Sequence, residues 1–405
     1  MREDVMVGQT GLSFGRIKEI LNESPEFHQH KGDSNLLSAE AVCISEGKGF
    51  LSQVFKVSAK FGNLKTYDFI VKIPFPAGLQ QIIENEKPDG DQNVVDQIVV
   101  DGHNIECEFY ENVRLLRNFP APKVYASEKI IVGKQNGLLA MEDLSNHAEP
   151  LGFYRTANVN QLLNVASTLA DLQFTAQQKE FAHWWKNNLR VTIHLEEIYT
   201  KYTDGAMPEL KYIPSIYELL PKVPIVFDQN FGYYCLLQRP KQYNALTFCH
   251  GDMQPNNVLF KIDKNGESTD KLSGFIDYQL VFCGNPLFDL ARFLTFGVDP
   301  DVRKKAEIQA YNVYYTKLRH LYTTNQKQIP FTYKQGFELF ELALCQQVGF
   351  MITFLGIFHM AHRQSSREVA ENFQILINRC KYCIQSGIEI IDKYDLNKLQ
   401  LRAHL

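Results

Sequence analysis

The chain has 405 residues, of which 45% are hydrophobic and 22% charged, and its formal net charge is −4. That balance excludes extended disorder, and at roughly 100–200 residues per domain it provides for two or three folding units with sizeable cores. The slight negative charge offers no general attraction to nucleic acid or to an anionic membrane, so neither is expected as a partner and any bound anion must be held by a local site.

The N-terminal stretch MREDVMVGQT carries charges where a signal peptide needs an apolar core. The first third then reads as strands punctuated by turns. Residues 39–46 are β-prone and run into Gly47-Lys48-Gly49, and Phe50 to Ala59 partly alternates between apolar and polar residues. Gly62-Asn63 turns the chain into a third run, Thr66 to Ile73. Residues 84–102 are acidic and rich in turn formers, which predicts a loop or insertion. Apolar positions at helical spacing follow from Ile105 to Leu116. Two short strands are expected near Val124 and Ile131, with Gly133 to Gly137 as their turn, and Gly137 to Leu144 closes the section.

From about Asn158 the pattern becomes helical: Asn160 to Ala176, Pro300 to Tyr322, and nearly everything after Gly336. Only Leu246 to Asp277 interrupts it, with β-like runs at Val258-Leu259-Phe260 and Gly274-Phe275-Ile276. Strands first and helices after predict an α+β protein with segregated layers, divided near residues 145–157. The longest apolar run, Val348 to Phe358, is shorter than the ~20 residues that cross a bilayer and reads as a buried helix. Trp184 and Trp185 read as core, and Arg303-Lys304-Lys305 as a solvated helix face. Cys380 and Cys383 form a lone C-x-x-C in a helical stretch and read as ordinary thiols. His359 and His362 have no nearby Glu to complete a metalloprotease motif. A reduced, cytoplasmic protein is the expectation.

The chemistry concentrates in Cys249 to Phe260, where His250, Asp252 and Asn257 form H-x-D-x-x-x-x-N ahead of an apolar run. Asp277 ends a second apolar run further on. Phosphoryl transfer requires positioning and charge neutralisation more than covalent chemistry. One carboxylate must receive or orient the acceptor's proton, while an Asn and a second carboxylate suit a magnesium ion, which prefers hard oxygen ligands. Asp252, Asn257 and Asp277 are the residue types for those roles. A hairpin reversing at Asp263 to Gly266 would bring Asn257 and Asp277 together at its open end.

These segments resemble the catalytic loop and metal-binding strand of the protein-kinase-like superfamily. Gly251 after the histidine is closer to the small-molecule branch, which includes aminoglycoside phosphotransferases and choline kinases. The pattern H-G-D-x-x-x-N-N-x-L-F, then I-D-Y-Q at Ile276 to Gln279, then P-x-x-D-L-A-R at Pro286 to Arg292, is most similar to the CHK-type, ecdysteroid-kinase-like family. The resemblance runs from about residue 40 to 390. It implies a bilobal fold, with a strand-rich N-lobe over 1–150 and a helical C-lobe over 151–405. It also implies an enzyme that uses ATP and Mg2+ to phosphorylate the hydroxyl of a small molecule, a sterol-, choline- or xenobiotic-like alcohol. Asp252 is then the catalytic residue, with Asn257 and Asp277 as metal ligands.

Gly47, Gly49 and Ser52 resemble a shortened phosphate-covering loop, in which glycines let backbone N–H groups approach phosphate. Lys72 matches the strand lysine that contacts ATP phosphates and pairs with a helix glutamate. Glu106 fits that glutamate best, with Glu108 and Glu111 open. Met141-Glu142-Asp143-Leu144 resembles the hinge whose backbone binds adenine, which places Glu142 and Leu144 there. His250 would brace the catalytic loop and Asp289 anchor it. Gln279 and Met253 depart from the pattern without removing a reacting group.

Three other readings are weaker. A nucleotide-binding pseudokinase or regulatory module is disfavoured by the joint presence of Lys72, Asp252, Asn257 and Asp277. A protein kinase lacks its A-P-E segment here. A Rossmann oxidoreductase would need a G-x-G-x-x-G opening a helix, which this sequence does not have.

Overall fold

A computed structural model describes residues 1–45, 52–63, 65–74, 92–114, 116, 118–189, 203–361 and 367–399. The chain divides into two compact units, Met1–Arg114 with Ala121–His147, and Leu115–Pro120 with Ala148–Leu405. The division is thus not a single cut near residue 150. A short stretch of the early sequence packs with the later unit, where the Phe119 ring lies against Phe181, Phe248 and Tyr278.

The first unit opens with two helices that the sequence pattern did not suggest, α1 (Phe14–Asn22) and α2 (Pro25–Lys31). Local signals for both exist. Ser13 caps α1 by accepting the Arg16 N–H, and Ser24 caps α2 by accepting from Phe27, with Pro25 at the first helical position. What stabilises them is non-local. Ile17, Ile20, Leu21 and Phe27 bury against Phe55, Val57, Phe61, Phe69 and Val71 of the sheet.

That sheet is antiparallel, in the order β1-β2-β3-β5-β4. Its strands are β1 (Leu36–Cys43), β2 (Ser52–Phe61), β3 (Thr66–Pro74), β4 (Val124–Glu128) and β5 (Leu138–Glu142). Around Ile131 there is only an isolated bridge to Gln135 rather than a strand. Alternation along β2 and β3 sends the core residues to one face, while Lys56, Ile70 and Lys72 take the other. The helix α3 spans Gln92–Val113, so the segment read as a loop over 84–102 is helical from Gln92 onward. Val94, Val95, Ile98 and Val99 already recur at helical spacing, and docking of buried Ile98 and Val99 overrides the acidic, turn-prone composition of the segment.

The second unit contains the antiparallel sheets β6-β8-β9 and β7-β10. These strands are β6 (Ala148–Pro150), β7 (Thr247–Cys249), β8 (Val258–Ile262), β9 (Ser268–Phe275) and β10 (Phe282–Gly284). Around them lie α4 (Val159–Thr175), α5 (Lys179–Asn188), α6 (Phe288–Gly297), α7 (Pro300–Thr324), α8 (Tyr333–Ala361) and α9 (Arg367–Tyr394). A reciprocal capping box between Asn158 and Gln161 starts α4. Every residue of α6 is buried, which puts this helix at the centre of the unit.

By length and composition α8 could cross a membrane, but its most apolar window is 72% buried inside the fold, as a core helix would be. Trp184 and Trp185 are buried, and the Trp185 indole donates to Ala176 O at 2.7 Å. Cys380 and Cys383 are buried free thiols. One surface expectation fails. Lys304 and Lys305 are exposed, whereas Arg303 is 1% exposed, bonded to Glu307 and stacked over Tyr382. A guanidinium tolerates burial when a carboxylate and a ring meet it together, and the Glu lies one helical turn on.

Candidate active site

The second unit holds the H-x-D segment. The β8–β9 hairpin turns where Asp263 Oδ1 accepts the N–H groups of Asn265 and Glu267, and Gly266 supplies a φ of 81°. Val258 lies opposite Phe275, and the Ile276 N–H donates to Asn257 O at 3.0 Å. Asn257 and Asp277 therefore stand side by side at the open end of the hairpin. Asp277 adopts φ 70°, a left-handed conformation that Asp tolerates better than most residues. The Gln279 side chain donates to Asp277 Oδ2 at 3.4 Å.

The loop leaving β7 is held by its backbone. Asp289, on α6, accepts the His250 N–H at 2.8 Å and the Gly251 N–H at 3.0 Å with its two carboxylate oxygens. Gly251 has φ 85°, and a Cβ there would lie 1.9 Å from Leu280 O, so only glycine fits. His250 Nδ1 accepts the Asp252 N–H at 3.2 Å, which leaves Nε2 protonated to donate to Ile276 O at 3.1 Å. One ring thus ties the backbone of the loop after β7 to the strand end that carries Asp277.

Asp252 is half-buried. Its Oδ2 accepts from Gln254 Nε2 at 3.1 Å and from Asn257 Nδ2 at 3.0 Å, and the same Asn nitrogen donates to Asp252 O at 2.9 Å. Oδ1 takes no hydrogen bond from any described residue. The density of protein around the carboxyl pushes its pKa up to about 6. Arg292 and the two amides oppose that shift, and the Asp277 charge adds to it. Burial also pushes the Asp289 carboxyl up to about 6, against its two backbone donors and Arg292. The sequence reading missed Gln254 and Arg292. The available signal for Arg292 was its place one helical turn after Asp289 on a helix with no solvent face.

Two hard oxygen donors, the amide oxygen of Asn257 and the carboxylate of Asp277, come from adjacent strand ends. Asn257 commits its nitrogen to Asp252, which leaves the oxygen for a cation. Among the described residues no three His, Cys, Asp or Glu converge on a metal. Magnesium does not require that, since one or two protein ligands with phosphate and water complete its shell. The donor set fits the ion.

The first unit carries the lysine and the hinge-like segment. Lys72 Nζ lies 2.6 Å from Glu106 Oε2, with both side chains buried. Glu108 instead reaches Lys129 at 3.0 Å, and Glu111 is exposed. Ser52 is the first residue of β2, opposite Pro74, whereas Gly47 and Gly49 lie outside the described residues. The Glu142 N–H donates to Lys123 O at 2.8 Å, and Leu144 O accepts from His147. The Leu144 N–H has no partner among the described residues.

The model of the DUF1679 family, described as "Uncharacterized oxidoreductase dhs-27", matches residues 32–395. The Caenorhabditis elegans protein named "Uncharacterized oxidoreductase dhs-27" is 26% identical over 350 residues, which are 82% of this chain and 41% of that protein. The chain therefore spans well under half the length of that relative. The "Uncharacterized kinase-like protein D1044.1" of C. elegans is 26% identical over 267 residues, 65% of this chain and 67% of that protein. Among solved structures, choline kinase from Cryptosporidium parvum Iowa II superposes with a TM-score of 0.52 at 14% identity, covering 94% of this chain and 99% of that one. The fold is the α+β fold of bilobal kinase-like proteins.

Proposed function

The chain belongs to the DUF1679 family, and from its fold and loop geometry we propose that it is a phosphotransferase moving the γ-phosphate of ATP to the hydroxyl of a small molecule. The observation that carries this reading is the Asp252 carboxylate, with Oδ2 fixed by two amides and Oδ1 left for an acceptor hydroxyl. Asp252 would orient that hydroxyl and receive its proton as the bond to phosphorus forms. Asn257 and Asp277 would hold Mg2+, which when bound neutralises phosphate oxygens. Lys72, kept in place by Glu106, would hold phosphates, and the backbone at Glu142 and Leu144 would take adenine. His250 and Asp289 hold the loop on which Asp252 sits. The acceptor belongs to the class of sterol-, choline- or xenobiotic-like alcohols.

The oxidoreductase named among the relatives is a longer protein, of which the matched stretch is 41%. Dinucleotide-binding folds are built on parallel strands with a glycine-rich turn into a helix. Every strand pair among the described residues here is antiparallel.

The test is Asp252→Asn, assayed with whichever acceptor a screen of metabolite extracts with γ-labelled ATP identifies. Turnover should fall by about 10²–10⁴-fold, the usual contribution of a general base. Affinity for ATP and for magnesium should stay at the wild-type level. Unchanged turnover would remove Asp252 from the role of base, and a parallel fall in magnesium affinity would make it a metal ligand.

A further inference from the structure

On the sheet face that carries Lys72, a second lysine is paired with two carboxylates. Val54 pairs with Lys72 and Lys56 with Ile70, so Lys56 lies one alternation along β2 from the phosphate-binding position. Ile70 pairs in turn with Met141 on β5. Lys56 Nζ reaches Asp143 Oδ2 at 2.8 Å, Asp68 Oδ2 at 3.2 Å and Ser145 Oγ at 3.2 Å. The two carboxylates form ion pairs with the ammonium and Ser145 Oγ accepts a hydrogen bond from it.

Asp143 is the unusual member. Its side chain is 2% exposed, and it sits just past the last β3–β5 pair, Phe69 with Glu142. From Asp143 onward the backbone has left the ladder. It is held by the turn in which Asp143 Oδ1 accepts the Ser145 N–H at 2.8 Å, by the bond from the His147 N–H to Leu144 O, and by the ion pair of Lys56 with Asp143 and its hydrogen bond to Ser145. Burial alone would push the Asp143 carboxyl up, but Lys56 and Ser145 bring it below the usual carboxylate range. The carboxylate is therefore ionised and held. Either side of it lie the Glu142 carbonyl and the Leu144 N–H, which has no partner among the described residues; the phosphotransferase reading gives both to adenine.

We propose that Lys56 is a positioning residue, which through Asp143 and Ser145 sets the backbone of the 142–145 segment for the purine of the nucleotide. A lysine serving only to brace β2 against β3 would need Asp68 alone, which Ser58 Oγ already orients at 2.7 Å. The reach to Asp143 and Ser145 adds nothing to that pairing and ties down a stretch that has left the sheet. This inference rests on the ATP-binding reading of the same unit.

The experiment separates purine from phosphate. Calorimetry on the full chain with magnesium would measure ATP, adenosine and inorganic tripolyphosphate for wild type, Lys56→Met, Lys56→Arg and Asp143→Asn, with a melting curve for each. In Lys56→Met, ATP and adenosine should weaken by roughly three- to tenfold, the scale of a loosened supporting contact. Tripolyphosphate should bind as before. Asp143→Asn should reproduce the adenosine loss, and Lys56→Arg should recover most of it. Equal losses for adenosine and tripolyphosphate, or an unchanged adenosine affinity in both Lys56→Met and Asp143→Asn, would reduce Lys56 to a strut and overturn the proposal. A wild-type chain that binds neither ATP nor adenosine would instead sink the phosphotransferase reading, and this inference with it.

Discussion

Gly251 shows how one position can be constrained twice. Its φ of 85° suits glycine, and its α-carbon faces Leu280 O so closely that no side chain fits. Gly251→Ala should therefore cost more than ordinary left-handed strain, about 2–3 kcal/mol, visible as a lowered urea midpoint. Because the shifted loop carries Asp252, turnover should fall even where the variant still folds. An alanine variant with wild-type stability and turnover would show that the loop relaxes freely. The sequence marked this glycine by its place between His250 and Asp252, but nothing local points to Leu280. The helix glutamate is a similar case. Glu106, Glu108 and Glu111 all lie on one amphipathic stretch, and only the docked register assigns Glu106 to Lys72 and Glu108 to Lys129.

At the scale of elements, α3 makes a pH-dependent contact with the sheet. His103 is buried on this helix, three residues before Glu106, and its Nε2–H donates to Glu128 O at 2.7 Å. Burial first, and the Lys72 charge second, lower its pKa from 6.5 to about 4. Between those two values the unfolded chain binds the proton and the folded chain does not, so stability declines as pH falls through that window. The contribution is full above the upper value. About 2–3 kcal/mol should be lost by the lower one. Urea midpoints of wild type and His103→Gln, compared at neutral pH and near pH 4.5, isolate this contribution. The glutamine variant should lose less on acidification, and identical losses in the two proteins would rule out His103 as the source.

In the molecule as a whole, non-local charge contacts hold segments that are far apart in sequence. Arg379 on α9 donates to Phe153 O and Phe296 O through Nη1, to Arg155 O through Nη2, and to Asp299 Oδ1 at 2.6 Å through Nε. It is 1% exposed, and from the middle of α9 it joins the end of α6 and the residue preceding α7 to the stretch before α4. Arg379→Met would keep the bulk and strand those carbonyls, at a cost of about 3–5 kcal/mol. All of these contacts lie in the second unit, so the readout is local to it: hydrogen-exchange protection in α6 and α9 should fall, and unchanged protection there would show that the clamp is dispensable.

The sequence by itself determined the features whose causes are local. The hairpin that sets Asn257 beside Asp277 follows from turn chemistry at Asp263 to Gly266 between two apolar runs, and the long helices of the second unit follow from their apolar period. Only the tertiary structure decided that α1 and α2 cover the sheet, that α3 begins at Gln92, that Arg303 is buried, and that Lys56 ties down Asp143. Periodicity and turn propensity are properties of neighbouring residues, so they can be read along the chain. Whether a charge is buried, and against which partner, depends on surfaces that meet only after the chain has folded.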